Sequence, residues 1–144
     1  MSYELKLVAS TEDWEAYHAI RERVLWETRG RLGSYDRSHS DEHMAGNFPC
    51  LLIGPGHEPL GTVRIDVDPP LAWFRRVAIR EDRQRQGHGR RMLELAADFA
   101  KGRGCHRVRS NVAPDAVQFY RKLGFQIAVE DEAGSSSVPM SRWL

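Results

Sequence analysis

The sequence predicts an α/β fold of the α+β type, in which helices flank a central, mostly antiparallel sheet that contains one parallel pair of strands. Two observations predict it. Three apolar, strand-like runs follow one another between Phe48 and Ile79, separated only by short turns. The third run then leads through a helix-like segment into another strand-like run, and a helical crossover of this kind joins parallel strands. With 144 residues and no internal repeat or linker, the chain is expected to form a single domain over residues 1–144.

The N-terminal segment predicts a strand followed by an amphipathic helix. Apolar and charged residues alternate from Tyr3 to Leu7, which is typical of a half-buried strand. Ser10 and Asp13 have the spacing of a capping box, so the helix is expected to begin just after Ser10. Gly30 provides a natural end. The apolar positions of this helix recur at helical spacing: Trp14, Tyr17, Ile20, Val24, Leu25 and Thr28.

The central segment predicts three antiparallel strands. Residues 31–47 are polar, and a short helix is expected to begin near Ser38 or Ser40. Proline cannot continue a β-ladder, so Pro69 and Pro70 must separate the second and third strands. The three strands are expected over Phe48–Ile53, Leu60–Val67 and Leu71–Ile79.

The C-terminal half predicts a helix, a strand, a second helix and a closing hairpin. The first helix follows Gly89 and ends near Gly102, and the strand that follows should lie parallel to the one ending at Ile79. Pro114 suits the first turn of the second helix. The remaining expected ranges are His106–Asn111 for the strand, Pro114–Leu123 for the helix, and Phe125–Glu130 with Val138–Trp143 for the hairpin.

Composition and charge exclude some classes of partner. The 21 basic and 20 acidic side chains give a formal net charge of +1, so no overall field would recruit nucleic acid or an anionic membrane. No apolar run approaches membrane-spanning length, and the N-terminal segment lacks the apolar middle of a signal peptide. Cys50 and Cys105 lie in apolar surroundings and are interpreted as small core residues. We therefore expect a cytoplasmic protein with no membrane or nucleic-acid partner.

The segment from Val77 to Leu93 carries the clearest functional signal. An apolar strand runs into a turn that contains Gly87 and Gly89, and a helix follows. Glycines let a backbone approach a ligand closely, while the N–H groups of a helix's first turn point outward as anion donors. A dinucleotide fingerprint does not fit, because it needs a third glycine where Met92 stands, and a Walker motif does not fit either. The turn therefore predicts a pyrophosphate site, supported by a cluster of arginines: Arg83, Arg85, Arg90 and Arg91.

Two segments resemble the GNAT superfamily of N-acetyltransferases. The pattern Gln-x-x-Gly-x-Gly at residues 84–89, preceded by Val-Ala-Ile at residues 77–79, is similar to the acetyl-CoA signature of that family. Downstream, a strand end at Asn111 precedes Phe-Tyr-Arg-Lys-Leu-Gly-Phe at residues 119–125, which is similar to a second segment common in the family. The resemblance covers the second half of the chain well, extends over the strands from Phe48 onward, and is weakest before them.

The resemblance implies a GNAT acyl-CoA N-acyltransferase fold and an acetyl-CoA-dependent enzyme without a metal. The acceptor would be an amine of a small molecule or peptide, attacking directly within a ternary complex, and the family also suggests a homodimer through the closing strands. In the family, the strand before the glycine turn splays from its neighbour, often through a bulge, so that its edge can pair with the pantetheine arm. The residues implied in cofactor binding are Val77, Ala78, Ile79, Gln84, Arg85, Gln86, Gly87, His88, Gly89, Arg90, Arg91, Asn111 and Tyr120.

Tyr120 is the candidate general acid implied by the family's Phe-Tyr segment. A phenol with a reference pKa of about 10 stays protonated at neutral pH and can donate a proton to a departing thiolate. The alternative is a tyrosine that only packs against the sheet. The flanking match to the family favours the catalytic interpretation.

The chain departs from the family at the position of the general base. Many members carry a glutamate four residues before the valine of the signature strand, where this chain has Trp73. Trp73 could instead line the acceptor pocket as a flat wall. An alkyl ammonium with a reference pKa of about 10.4 still has to lose a proton before it attacks. The candidates for its removal are a chain of water molecules or one of six side chains: Asp66, Asp68, Glu27, Asp36, His39 and His43.

Two other classes of function stay open. His39 and His43 fit the His-x-x-Glu-His pattern of one zinc peptidase group, in which two histidines one helical turn apart hold the metal. The short, polar segment around them argues against a zinc hydrolase. The missing glutamate also permits a module that binds acyl-CoA as a sensor, without turnover.

Overall fold

The computed structural model describes residues 2–27, 37–38, 40–128 and 137–144, with only the backbone described at residues 26 and 27. The strands are β1 (Glu4–Leu7), β2 (Asn47–Ile53), β3 (Pro59–Asp68), β4 (Leu71–Ile79), β5 (Arg107–Val112), β6 (Gln126–Ile127) and β7 (Val138–Trp143). The α-helices are α1 (Thr11–Arg21), α2 (His88–Gly102) and α3 (Val117–Lys122). Shorter helical turns span Glu22–Glu27, Ser40–His43, Glu81–Arg83 and Pro114–Ala116.

The strands form one sheet in the order β1-β2-β3-β4-β5-β7-β6. Neighbouring strands pair antiparallel except β4 and β5, which are parallel and are connected through α2. This confirms the predicted mixed α/β fold, including its one parallel pair. The turn between β4 and α2 consequently lies at the carboxyl end of β4, the edge at which sheets of this kind bind ligands.

Helices cover both faces of the sheet. On one face, α2 contributes Met92 to a large apolar cluster that includes Phe74 of β4. On the opposite face, α1 places Tyr17 over Leu51 and Ala78 in a smaller cluster. Each fully buried large apolar side chain stabilises the fold by roughly 1.5–3 kcal/mol relative to an exposed one. The two clusters therefore fix α1 and α2 on opposite sides of β4.

Both cysteines have the surroundings that the sequence predicts. Cys50 on β2 and Cys105 before β5 are buried thiols that form no disulfide. Burial raises the pKa of both thiols, to about 12 for Cys50. In the described ranges, the structure contains no helix with the length and apolar composition needed to cross a membrane.

Helix α1 begins where the sequence predicts and ends earlier. The Ser10 hydroxyl accepts a hydrogen bond from the Asp13 N–H at 3.1 Å, and the Asp13 carboxylate accepts one from the Ser10 N–H at 3.2 Å, which completes the capping box. The α-helix stops at Arg21 and continues as a π-helical turn over Glu22–Glu27. The longer helix is predicted from apolar residues at α-helical spacing, and the wider π-helical turn interrupts that spacing. The predicted end at Gly30 lies outside the described residues.

The elements after β5 are shorter than predicted. Instead of one helix from Pro114 to Leu123, a 3-10 turn over Pro114–Ala116 precedes α3. The strand expected to end at Glu130 pairs with β7 only at Gln126–Ile127, and residues 129–136 lie outside the described part of the chain. The short helix expected near Ser38 or Ser40 is the single 3-10 turn that begins at Ser40.

Removing the Asp13 carboxylate should destabilise the protein by about 1 kcal/mol, because the capping box satisfies backbone N–H groups at the start of α1. Burial raises the pKa of Asp13, but hydrogen bonds from Lys6 and from the N–H groups of Ala9 and Ser10 outweigh burial and lower the pKa overall. A carboxyl group with a lowered folded-state pKa contributes stability above its unfolded value of about 3.9, and that contribution is lost as pH falls through the folded-state pKa. Urea unfolding of Asp13→Ala should show the full deficit at about pH 7 and a smaller deficit near about pH 3. The exposed neighbour Glu12→Ala is the control, and a pH-independent deficit would contradict the linkage.

Candidate active site

The turn between β4 and α2 has the backbone geometry of an anion site. Gly87 precedes the first residue of α2 with φ of 87°, and Arg85 also has a positive φ, of 64°. The Arg91 N–H donates to the Gly87 carbonyl at 3.2 Å, so regular helical hydrogen bonding starts there. The N–H groups of the preceding residues in the first turn have no helical carbonyl behind them and point away from the helix.

The two glycines are required for different reasons. Gly87 has the left-handed conformation that L side chains rarely adopt, with open space where a Cβ would lie. Gly89 has ordinary helical backbone, but its Cβ would lie 3.3 Å from the Phe119 ring and 3.5 Å from the Ile79 side chain. Gly87 therefore shapes the turn, and Gly89 lets the helix start pack against β4 and α3.

The polar side chains around the turn divide into two groups. Arg83 donates to the Glu58 carboxylate at 2.8 Å, and Gln84 donates to the Ile79 carbonyl at 3.1 Å, so both fasten the turn to its surroundings. Arg90 and Arg91 extend into solvent, each 3.6 Å from Glu94. Exposed ion pairs of this kind are weak, so both guanidinium groups can turn toward an anion at the helix start.

His88 points its side chain into the protein. Its Nδ1 lies 2.9 Å from the Tyr3 hydroxyl, and the two rings meet edge to face with centroids 5.7 Å apart. His88 is one of the cofactor-binding residues predicted from the sequence. Because its side chain turns inward, His88 offers only its backbone N–H to a ligand at the turn. The side chain ties the start of α2 to the segment that precedes β1.

Strands β4 and β5 separate beside this turn. Their parallel pairing runs from Leu71 to Phe74, opposite Arg107 to Ser110, whereas β5 continues to pair with β7 as far as Val112. In β4, Arg76 and Val77 together oppose a single residue of β3, which is a β-bulge, and Arg76 has φ of 57°. We refer to the separation of β4 from β5 after Phe74 as the fork.

Tyr120 lies at the fork on the α2 side of the sheet. The Ser110 hydroxyl donates to the Phe74 carbonyl at 3.1 Å, across the last register pair of the parallel ladder. Burial raises the pKa of Tyr120 to about 12, and the adjacent Ser110 hydroxyl offsets this rise in part. The phenol is 5 % exposed and packs against the Phe125 ring, with centroids 5.2 Å apart. Tyr120 therefore carries a proton throughout the neutral pH range.

The opposite face of the fork is cationic and aromatic. Trp73 pairs with Arg109 across the parallel ladder. The guanidinium groups of Arg75 and Arg109 lie 4.3 Å and 4.8 Å from the centroid of the Trp73 ring. Asn111 follows on β5, one residue beyond the fork, and is exposed.

The structure places the candidate bases in different surroundings. Asp66 accepts hydrogen bonds from Arg64 at 2.7 Å and 2.9 Å and from Arg75 at 3.4 Å, so its carboxylate is held by two guanidinium groups. Asp68 pairs with Leu71 at the end of β4 far from the glycine turn. His43 is exposed, with its ring 5.1 Å from that of Trp14. Asp36, His39 and the side chain of Glu27 lie outside the described residues.

The sequence prediction missed Glu42, which is buried between α1 and β3. Its carboxylate accepts hydrogen bonds from the Tyr17 hydroxyl, at 2.9 Å, and from Arg21, and it lies 3.6 Å from the Arg64 guanidinium. A polar run without periodicity gives no signal for such burial. In the zinc hypothesis this glutamate would stand between the two histidines, yet here its carboxylate is held by ion pairs. The described residues contain no group of three or more potential ligands arranged to hold a metal.

Comparison with known proteins agrees with this geometry. Residues 9–125 match the model of the acetyltransferase (GNAT) family. A protein of Bacillus subtilis (strain 168) that carries the provisional name of an acetyltransferase is 24% identical over 134 residues, which cover 88% of this chain and 86% of that protein.

Solved structures show the same fold. A crystal structure from Lactobacillus plantarum, provisionally named an N-acetyltransferase, matches with a TM-score of 0.80 and 26% identity, covering 100% of this chain and 99% of the other. The PaiA N-acetyltransferase of Thermoplasma acidophilum, solved in complex with coenzyme A, matches with a TM-score of 0.75 and 17% identity over 100% of both chains. Because the family model spans most of the sequence, the chain belongs to the GNAT family of acetyltransferases and is an acyltransferase enzyme.

Proposed function

We propose that this protein transfers an acetyl group from acetyl-CoA to an amine of a small molecule or peptide, by direct attack within a ternary complex. The observation that carries the proposal is the fork, which opens beside the anion-type turn at the start of α2. A donor with a diphosphate and an extended arm needs these two features side by side. Acetyl-CoA, when bound, supplies a thioester carbonyl and a thiolate leaving group.

The glycine turn fits a diphosphate. Backbone N–H groups between Arg85 and Arg91 would donate to its oxygens, aided by the positive end of the α2 dipole. The exposed guanidinium groups of Arg85, Arg90 and Arg91 would add charge-assisted hydrogen bonds. Gln84 and His88 would act indirectly, because their side chains hold the turn to β4 and to Tyr3.

The edge of β4 beyond the bulge fits the extended arm of the donor. Ala78 and Ile79 pair with β3 on one side, while the pairing of β4 with β5 has already ended at Phe74. Backbone groups of Val77–Ile79 on the fork side would bond the amides of pantetheine as an added strand does. Asn111 would contact the same arm from β5.

Tyr120 would protonate the departing thiolate. Its hydroxyl lies beside Ser110, at the point where the fork begins and where an arm bound along Val77–Ile79 would end. A raised pKa keeps the proton on the phenol until the sulfur develops negative charge.

Deprotonation of the acceptor would proceed through water. Trp73 cannot accept a proton, Asp66 is held by two guanidinium groups, and Glu42 is buried under α1. The fork is exposed to solvent at Asn111, so a water molecule can carry the proton away.

The absence of a glutamate at residue 73 also favours one other function, an acyl-CoA sensor. Thioester consumption across a panel of amines distinguishes the two, since a sensor would bind CoA without acceptor-dependent release of thiol.

Substituting Gly89 by valine should weaken CoA binding by at least about tenfold, because the added carbons displace Phe119 or Ile79 and disturb the helix start. Isothermal titration with CoA measures the effect, and circular dichroism checks the fold. Gly102→Ala at the other end of α2 is the matched control, because a Cβ at Gly102 meets no atom within 4 Å. Equal affinity in Gly89→Val and the control would place the diphosphate elsewhere.

Replacing Tyr120 by phenylalanine should lower kcat by about 100-fold, the size of a general-acid contribution, with little change in the Kd for CoA. In the parent enzyme, a group with a pKa of about 12 should cause no loss of kcat between pH 7 and about pH 10, since the phenol remains protonated there. Stopped assays of thiol release over this range test both statements. Tyr17→Phe removes another buried phenol, which bonds Glu42, and should lower stability without the same loss of kcat. A fully active Tyr120→Phe enzyme would exclude the acid role.

A further inference from the structure

The first turn of α2, which would hold the diphosphate, has little restraint of its own. Gly87 and Gly89 lie on either side of His88, and glycine loses more backbone freedom on ordering than any other residue. Gly87 also occupies the N-cap of α2, so the helix begins without the side-chain hydrogen bond that the favoured N-cap residues supply. Contacts from other parts of the protein therefore have to fix this turn.

The side chain of His88 provides such a contact. His88 is the first residue of α2, and its ring points into the protein. Its Nδ1 and the Tyr3 hydroxyl form a hydrogen bond of 2.9 Å, and the two ring centroids lie 5.7 Å apart at an interplanar angle of 62°. The contact joins residues 85 positions apart in the sequence, so it fixes the start of α2 relative to the N-terminal segment.

The inward orientation of His88 has an energetic cost. Among the described residues, the Nε2 atom of this ring is buried and has no hydrogen-bond partner. An unpaired buried polar atom is destabilising, whereas the same nitrogen would be hydrated in an imidazole that points into solvent. The hydrogen bond to Tyr3 and the contact between the two rings offset this cost, so the position of His88 depends on Tyr3.

Tyr3 is itself attached to the body of the protein. It is partly buried and packs against the large apolar cluster under α2, which contains Phe74 and Met92 and is called the α2 cluster below. Tyr3 directly precedes β1, which pairs with β2 at the edge of the sheet and also packs against α2. The phenol can therefore hold His88 in place instead of moving with it.

The other end of the glycine turn is fastened separately. Gln84 donates to the Ile79 carbonyl at 3.1 Å, and Arg83 donates to the Glu58 carboxylate at 2.8 Å. These bonds hold the turn where it leaves β4. The contact of His88 with Tyr3 holds it where α2 begins.

We propose that Tyr3 is a positioning residue for the cofactor, which acts through His88 to hold the first-turn N–H groups of α2 toward the diphosphate before acetyl-CoA binds. This inference rests on the proposed acetyltransferase function and adds the N-terminal segment to the same site. A site that is ordered in advance binds more tightly, because less conformational freedom is lost on binding. Coupling of this kind is reciprocal, so bound CoA should also stabilise the contact between Tyr3 and His88.

Removing the Tyr3 hydroxyl tests the positioning role. Tyr3→Phe keeps the ring and should raise the Kd for CoA about threefold to tenfold, the range expected from the loss of one hydrogen bond. Isothermal titration with CoA measures Kd, and urea unfolding measures stability. Tyr17→Phe is the matched control, because its hydroxyl bonds Glu42 on the α1 side, and it should lower stability without changing Kd. Equal Kd in Tyr3→Phe and the parent would overturn the inference.

A double-mutant cycle tests whether Tyr3 acts through His88. His88→Ala should raise the Kd for CoA at least as much as Tyr3→Phe, and the double variant should bind no more weakly than His88→Ala alone, because both changes remove one contact. Additive increases in Kd would overturn the link through His88. A parent protein that does not bind CoA would overturn the proposed function as well, whereas a parent and variants that bind CoA equally would overturn this inference alone.

Hydrogen exchange tests the reciprocal effect. Saturating CoA should slow exchange at the amide groups of β1 (Glu4–Leu7) in the parent, and this protection should decrease in Tyr3→Phe. The amide groups of β6 (Gln126–Ile127), at the opposite edge of the sheet, are the control. Protection of β1 that is the same in the parent and in Tyr3→Phe would overturn the coupling.

Discussion

The geometry of the active site depends on one backbone irregularity, the bulge in β4 at Arg76 and Val77. The extra residue turns β4 away from β5 after Phe74, so that the parallel ladder stops while β4 remains paired with β3. It also shifts the side-chain alternation by one residue. Phe74 packs against the α2 cluster before the bulge, and Val77 and Ile79 do so after it. Arg76 has a left-handed φ that costs a non-glycine residue roughly 1–2 kcal/mol, and pairing with β3 on both sides maintains it.

The two faces of the sheet differ chemically at the fork. The α2 side is apolar and closed, and there burial raises the pKa of Tyr120 so that the phenol is protonated at neutral pH. The other side is polar and carries the guanidinium groups of Arg75 and Arg109 around Trp73. A donor held along β4 between these faces, as we propose, would place its sulfur toward Tyr120 and leave its carbonyl carbon accessible to an amine from the polar side.

Short-range patterns predicted the glycine turn at the start of α2, because its constraints are local. Gly87 needs a positive φ, and Gly89 has to pack closely against Phe119 and Ile79. Glycine meets both requirements, so they can be recognised in the sequence from two glycines at a fixed spacing. Long-range contacts could not be predicted in this way. The bulge at Arg76 lacks a glycine that would signal it, and the inward turn of His88 depends on Tyr3, 85 residues away. The burial of Glu42 depends likewise on Arg21 and Arg64, and the polar run that contains Glu42 is typical of a solvated loop.

The tryptophan at residue 73 suits the two guanidinium groups that lie beside it, whereas a carboxylate there would not serve as a base. A carboxylate at this position would lie between the guanidinium groups that now stack on the indole ring, and two such neighbours would hold its pKa well below the range of a useful base. An indole keeps both cations in place without consuming their charge. The same positive charges would disfavour the protonated form of an ammonium bound beside them, which would lower the pKa of that ammonium and ease the loss of its proton to water. The proposed loss of the proton to water would then need no carboxylate at residue 73, because the neighbouring guanidinium groups would favour the neutral amine.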